Sequence, residues 1–170
     1  MTTPEMTTPA PEGLEVGIIS DTHGLVRPEL LEALEGVDRI LHAGDLGPLA
    51  LLYELEAVAP VSLVYGNTDD FDVRERVPLV QRLDLEELAA VVTHGHQLGR
   101  PGPEILSQSF PDADLVVFGH THEPLIEEAD GQWFVNPGSC GPRRFELPVT
   151  CVRAHIAGRE FSSRLLHLVD

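Results

Sequence analysis

The sequence contains no lysine, so its 11 basic residues are all arginines, and they stand against 28 acidic residues. The formal net charge of −17 excludes bulk binding of nucleic acid, because such a surface repels a polyanion. The same charge disfavours docking on anionic lipid. No apolar run reaches the roughly 18 residues that span a bilayer. We therefore expect a partner that is neither nucleic acid nor membrane.

Cysteine is also scarce. Cys140 and Cys151 provide neither a disulfide framework nor the spacing of a zinc site. We interpret them as reduced thiols and expect a cytoplasmic protein, since Met1–Gly13 has no basic and apolar leader. That segment also lacks apolar periodicity, which predicts a disordered tail at 1–13 and a single domain at 14–170.

Short apolar runs alternate with amphipathic ones after the tail. The first half reads strand, helix, strand, helix, strand, which predicts a parallel sheet with helical crossovers. The second half reads as antiparallel hairpins, with predicted turns at Asp130-Gly131 and, in the last pair, at Ala157-Gly158. We therefore predict an α/β fold with two β-sheets packed face to face and helices outside. The predicted strands are 16–20, 40–42, 61–65, 79–85, 88–93, 114–118, 125–128, 133–135, 149–155 and 161–168, and the predicted helices are 28–34, 48–58 and 103–110.

Five of the predicted strands end in short polar clusters. Ligands of open α/β sheets bind beyond the carboxyl ends of strands, so five such loops can converge on one point. One such cluster alone is ordinarily a solvated loop or a turn, but five that each follow an apolar strand favour a metal site. The clusters are Asp21-Thr22-His23, Gly44-Asp45, Gly66-Asn67, His94-Gly95-His96 and Gly119-His120-Thr121-His122.

The clusters supply more ligands than one ion with an open catalytic position needs. Two divalent ions that share a carboxylate would use all of them, and such pairs, about 3.5–4 Å apart, serve phosphoester hydrolysis. Carboxylate and imidazole suit Mn²⁺, which we expect first, and admit Fe²⁺, Ni²⁺ or Zn²⁺. The candidate ligands are Asp21, His23, Asp45, Asn67, His94, His120 and His122.

The ordered motifs Asp-X-His, Gly-Asp, Gly-Asn, His-Gly-His and Gly-His-X-His, between about Val16 and Arg143, resemble those of the calcineurin-like metallophosphoesterases. The segments GNTDD at 66–70 and NPGS at 136–139 are similar to the compact bacterial and archaeal phosphodiesterases of the YfcE type. The resemblance implies a four-layer αββα sandwich with two mixed β-sheets flanked by helices. It also implies a metal-dependent phosphodiesterase acting on a small phosphoester, and it allows a homodimer.

The resemblance further implies a role for each matched residue. A water that bridges the two ions would lose a proton and attack phosphorus in line, and Asn67 would also touch the phosphate. Asp21, His23 and His122 would hold the first ion, Asn67, His94 and His120 the second, and Asp45 would bridge them.

Three neighbouring positions qualify this assignment. Thr68 stands where many relatives carry a histidine that protonates the leaving group, so the proton must come from elsewhere or not be needed. His42 is expected to pack or to contact a ligand. His96 is expected either to contact a ligand or phosphate, or to face solvent.

Two other functions stay open at this point. The retromer scaffold subunit resembles the same fold but acts in protein interaction, with acid and amide exchanged between its Gly-Asp and Gly-Asn clusters. Asp45 and Asn67 keep the arrangement of the enzymes, which favours catalysis over a metal-binding interaction scaffold. The other alternative is a structural site for a single ion.

Overall fold

Two β-sheets of five strands each lie face to face in the computed structural model, which describes residues 13–170. The predicted tail therefore falls outside the described residues, apart from Gly13. The first sheet has the strand order β10-β9-β1-β2-β3 and the second β4-β5-β6-β8-β7. The strands are β1 (Leu14–Ile19), β2 (Arg39–His42), β3 (Val61–Leu63), β4 (Val80–Leu85), β5 (Leu88–Thr93), β6 (Leu115–Val117), β7 (Leu125–Ala129), β8 (Gln132–Asn136), β9 (Thr150–Ala157) and β10 (Glu160–His167).

Helices cover the outer faces of both sheets. They are α1 (Pro28–Ala33), α2 (Ala50–Glu56), α3 (Phe71–Arg76) and α4 (Pro103–Ser109), with a 3₁₀ turn at His96–Leu98. Leu30, Leu55 and Val73 bring α1, α2 and α3 against the first sheet, whereas Leu106 brings α4 against the second. None of the helices described at 13–170 has the length and apolar character of a membrane span.

Alternation along the strands explains the layers, because successive side chains of a strand point to opposite faces. Val16 and Ile18 of β1 lie between the two sheets, whereas Ile19 joins the core under α1 and α2. In β5, Val92 lies between the sheets and Val91 faces α4. Both sheets contain parallel and antiparallel pairs, so the predicted four-layer αββα sandwich with two mixed sheets is confirmed.

The carboxyl ends of the central strands meet at one edge of the sandwich. In the first sheet β1, β2 and β3 are parallel, and in the second β5 is parallel to β6. Backbone hydrogen bonds join the loops that follow: Asp21 N–H donates to Gly44 O at 2.9 Å, and Gly119 N–H donates to His94 O at 3.2 Å. Backbone hydrogen bonds therefore join four of the five polar clusters in two pairs.

Two features differ from the sequence-based expectation. The terminal hairpin turns at Gly158-Arg159 rather than at Ala157-Gly158, and it extends the first sheet because β9 pairs antiparallel with β1. Helix α3 and the 3₁₀ turn are additional elements. A six-residue helix with one fully buried apolar residue, Val73, is too short to show helical periodicity in sequence.

Candidate metal centre

Left-handed backbone marks the loops that carry the candidate ligands. The φ angles are 57° at Asp21, 44° at His23, 56° at Asp45, 72° at His120 and 61° at His122. Residues other than glycine rarely adopt this conformation, which costs free energy that the surrounding fold must supply. Five of the seven candidate ligands thus sit on backbone that the fold holds in an unfavoured shape, as is common at functional sites.

The two oxygens of the buried Asp21 carboxylate have different surroundings. Oδ2 accepts hydrogen bonds from Ser20 Oγ at 2.6 Å and from the backbone N–H of His120 at 3.3 Å. Oδ1 is also buried but accepts no hydrogen bond within residues 13–170. It faces imidazole nitrogens instead, with Nε2 of His122 at 3.2 Å and Nε2 of His23 at 3.5 Å. A cation between these atoms would satisfy all three.

Asp45 repeats this arrangement on the neighbouring loop. Its Oδ1 accepts the backbone N–H of Thr68 at 2.9 Å. Its Oδ2 lies 3.2 Å from Nε2 of His94 and 3.7 Å from Nε2 of His23. Gly66 makes this approach feasible, because a Cβ there would collide with the Asp45 carboxylate. The carboxylate therefore lies between a histidine of each predicted ion site.

Hydrogen bonding fixes how His94 presents its ring. Nδ1 lies 2.7 Å from the Ala43 carbonyl oxygen, which can only accept, so Nδ1 carries the proton. Nε2 is therefore the nitrogen that points inward, with Asn67 Oδ1 at 3.1 Å, and it would present its lone pair to a bound ion. An imidazole oriented through its other nitrogen by a carbonyl is the usual arrangement of a metal-binding histidine.

The side chains of His23, His122 and His120 lie beside these carboxylates and His94. Nε2 of His23 and Nε2 of His122 lie only 3.4 Å apart. The His120 ring centroid is 5.1 Å from that of His94, edge to face. Two groups of three ligands lie mutually within 4.8 Å: Asp21, His23 and His122, and Asp21, Asp45 and His94. The donor set of carboxylate, amide and imidazole fits divalent transition ions.

Electrostatics favour ionised carboxylates here. Burial would raise the pKa of Asp21, but the contacts with His122 and His23 outweigh it and hold the pKa far below its usual range. Burial likewise opposes ionisation of Asp45, whose pKa is nevertheless lowered by His94. Burial lowers the pKa of His94, yet the two carboxylates overcome it and raise that pKa. Both carboxylates are therefore ionised, and they carry negative charge that a bound cation would balance.

Comparison with known proteins identifies the family to which the chain belongs. Residues 14–159 match the sequence profile of the calcineurin-like phosphoesterase superfamily domain. The chain belongs to the calcineurin-like phosphoesterase superfamily. The predicted resemblance is confirmed.

Relatives within the superfamily cover most of the chain. A protein of Methanothermobacter thermautotrophicus described as a probable metallophosphoesterase is 37% identical over 158 residues, 89% of this chain and 91% of the relative. A phosphodiesterase of Methanocaldococcus jannaschii is 30% identical over 144 residues, 75% of this chain and 84% of the relative. The solved structure of Vacuolar Protein Sorting 29 from Cryptosporidium parvum superposes with a TM-score of 0.78 at 20% identity, over 92% of this chain and 98% of that one. The last likeness is one of fold.

Two further histidines flank the centre of this superfamily member in different ways. His42 is buried behind the ligand loops, where it contacts Thr22 Oγ1 at 3.0 Å and accepts the Gly44 N–H at 3.1 Å. His96 lies beside the ligands, with its ring centroid 5.5 Å from that of His94. Burial lowers the pKa of His96, and the positive charges of His94 and Arg74 lower it further.

Asp69 has a structural role that was not predicted from the sequence. Its Oδ2 accepts the backbone N–H groups of Asp45 at 2.9 Å and Gly66 at 2.7 Å, and its Oδ1 accepts that of Gly47 at 3.2 Å. Asp69 therefore ties together the loops that follow β2 and β3. The only sequence signal is the first acid in GNTDD, which by itself does not distinguish this role from solvent exposure.

Proposed function

We propose that this protein is a metal-dependent phosphodiesterase with two divalent ions at the carboxyl edge of its sheets. The supporting observation is the buried Asp21 Oδ1, which lacks a hydrogen-bond donor and faces the Nε2 atoms of His23 and His122. A buried carboxylate oxygen in that state is costly unless a cation binds it. The M. jannaschii phosphodiesterase supports the choice of reaction.

The proposed ligand sets follow the two sides of the site. Asp21, His23 and His122 would hold one ion, and Asn67, His94 and His120 the other. Asp45 would bridge both, because its Oδ2 lies between His23 and His94. We take Mn²⁺ as the first candidate, with Fe²⁺, Ni²⁺ and Zn²⁺ as alternatives. In this proposal the protein acts in the cytoplasm on a small phosphoester.

The chain's own groups prepare the site for a phosphate anion. Two divalent ions would supply positive charge against the phosphoryl group and a nucleophile at neutral pH. Asn67 is exposed beside the buried His94, so its side-chain amide can reach both the ligand sphere and a phosphoryl oxygen. Thr68 offers no proton donor of suitable pKa, which favours substrates whose leaving group departs as a stable anion.

Hydrolysis by metal-stripped protein, with each ion added back, tests the proposal. We expect Mn²⁺ to restore cleavage of bis(p-nitrophenyl) phosphate and metal analysis to find two ions per chain. Asp45→Asn removes one negative charge from between the ions and should lower kcat/KM by more than the roughly 10–100-fold that loss of an outer contact costs. Asp84→Asn, an exposed change on β4, is the matched control.

Each alternative gives a distinct result. At most one ion per chain at saturating Mn²⁺ would reject the two-ion site and favour a structural single-ion site. Two ions without hydrolysis of any phosphodiester or monoester would favour an interaction scaffold. Equal activity of Asp45→Asn and Asp84→Asn would refute the proposed role of Asp45 as a ligand of both ions.

A further inference from the structure

A row of planar side chains leads outward from the candidate ligands. The His96 ring centroid lies 5.5 Å from that of His94 and 6.2 Å from that of Tyr65. The guanidinium carbon of Arg74 lies 5.3 Å from the Tyr65 ring centroid. We call Tyr65, Arg74 and His96 the side wall.

Arg74 is held in a fixed orientation. Its Nε donates to the Asp69 carbonyl oxygen at 2.7 Å and its Nη2 donates to the Asn67 carbonyl oxygen at 2.9 Å. A guanidinium has five N–H groups, and these two bonds are the only ones that Arg74 makes among residues 13–170. The fixed group therefore keeps donors for another molecule, immediately beside the loop that carries Asn67.

The side wall is also accessible. Tyr65 and His96 are half-buried and Arg74 is exposed, so each presents part of a flat surface to solvent. The accessible part of His96 is the remainder of its ring, because the Nδ1 atom is itself buried and makes no hydrogen bond within the described part of the chain. Rings and guanidinium groups of this kind stack on planar ligands, and arginine adds a cation–π contribution.

We propose that the side wall binds a planar aromatic group attached to the substrate's phosphorus, as in an aryl or nucleoside phosphodiester. The inference rests on the proposed function, because the metal centre would anchor the phosphate. The ring would stack against Tyr65 and His96, and the remaining N–H groups of Arg74 would meet its polar edge. This is a preference for substrate class rather than a requirement of the reaction.

Calorimetric titration of the Mn²⁺-saturated protein tests the inference without turnover of a diester. The probes are adenosine 5′-monophosphate and ribose 5-phosphate, which share the phosphate and sugar and differ in the planar base. We expect the adenosine compound to bind about 5- to 100-fold more tightly, as stacking of one base warrants. Equal affinity of the two probes would overturn the inference and leave the proposed reaction intact.

Variants separate stacking from general loss of structure. Tyr65→Leu should reduce the preference at least about threefold while leaving the affinity for ribose 5-phosphate unchanged. Arg74→Gln should also reduce the preference at least about threefold, measured against its own affinity for ribose 5-phosphate, because Arg74 also bonds the Asn67 carbonyl oxygen. Tyr65→Phe keeps the ring and should retain the preference, and Arg76→Gln is the control for charge on α3. A full preference in both Tyr65→Leu and Arg74→Gln would also refute the side wall.

Failure of the proposed function looks different. In that case the unaltered protein would bind neither probe with Mn²⁺ present, and metal would not restore hydrolysis of bis(p-nitrophenyl) phosphate. The side wall would then be overturned together with the function on which it rests.

Discussion

Protonation of His42 should destabilise the metal-free protein as the pH falls. The Thr22 hydroxyl donates to the Leu46 carbonyl oxygen at 2.7 Å, so it accepts from Nε2–H of His42. The N–H of Gly44 donates to Nδ1. The ring is therefore satisfied only when neutral, and a proton on Nδ1 would face another N–H group.

The magnitude follows from the pKa. Burial lowers the pKa of His42 from 6.5 to about 4. Between these values the unfolded chain binds a proton that the folded protein does not, so stability is lost as the pH falls through this window. At 1.36 kcal/mol per pKa unit the full effect is about 3 kcal/mol, of which about 2 kcal/mol is expressed between pH 8 and pH 5.

Urea unfolding at pH 8 and pH 5 with a chelator present measures this effect. His42→Asn keeps an acceptor for the Gly44 N–H but does not titrate, so its stability should fall by about 2 kcal/mol less than that of the unaltered protein. The change in unfolding free energy must be compared between the two proteins, because His94, whose pKa is raised, contributes to that change with the opposite sign in both. His167→Asn on the exposed face of β10 is the control. An identical pH dependence in His42→Asn and the unaltered protein would refute the reasoning.

Three further predictions concern the site and its surroundings. Gly66→Ala should lower both Mn²⁺ affinity and activity, because the added Cβ would displace the Asp45 carboxylate. Gly102→Ala is the control: its Cβ meets open space, so both quantities should stay unchanged in the same metal analysis and assay. Burial raises the pKa of the Cys140 thiol and raises that of Cys151 to about 12, so both should react with a disulfide reagent only after unfolding; rapid reaction of the native protein would contradict this. With Thr68 in place of an acid, kcat/KM should rise steeply as leaving-group pKa falls across a series of diesters, and a flat dependence with rate-limiting chemistry would reveal a proton donor.

The predictable parts of the molecule are those encoded locally. Buried strands such as β1 are visible as apolar runs, and a polar cluster directly after such a run marks the edge where ligands gather. Asp69 could not be assigned in this way, because its partners Asp45 and Gly47 are more than 20 positions away and donate through their backbone. The pairing of β9 with β1 was equally invisible, since apolar alternation does not identify the neighbouring strand.

The pairing of β1 with β9 affects the order in which the two sheets can form during synthesis. The second sheet is one continuous stretch, from Val80 in β4 to Asn136 in β8, and can form while synthesis continues. The first sheet cannot be completed at that stage, because Leu14 of β1 pairs with Ile156 of β9, which is synthesised later. Contacts this distant in sequence form slowly. The nascent chain therefore gains the contacts between β1 and β9 only after Ile156 has left the ribosome, although every candidate metal ligand, up to His122, has emerged by then.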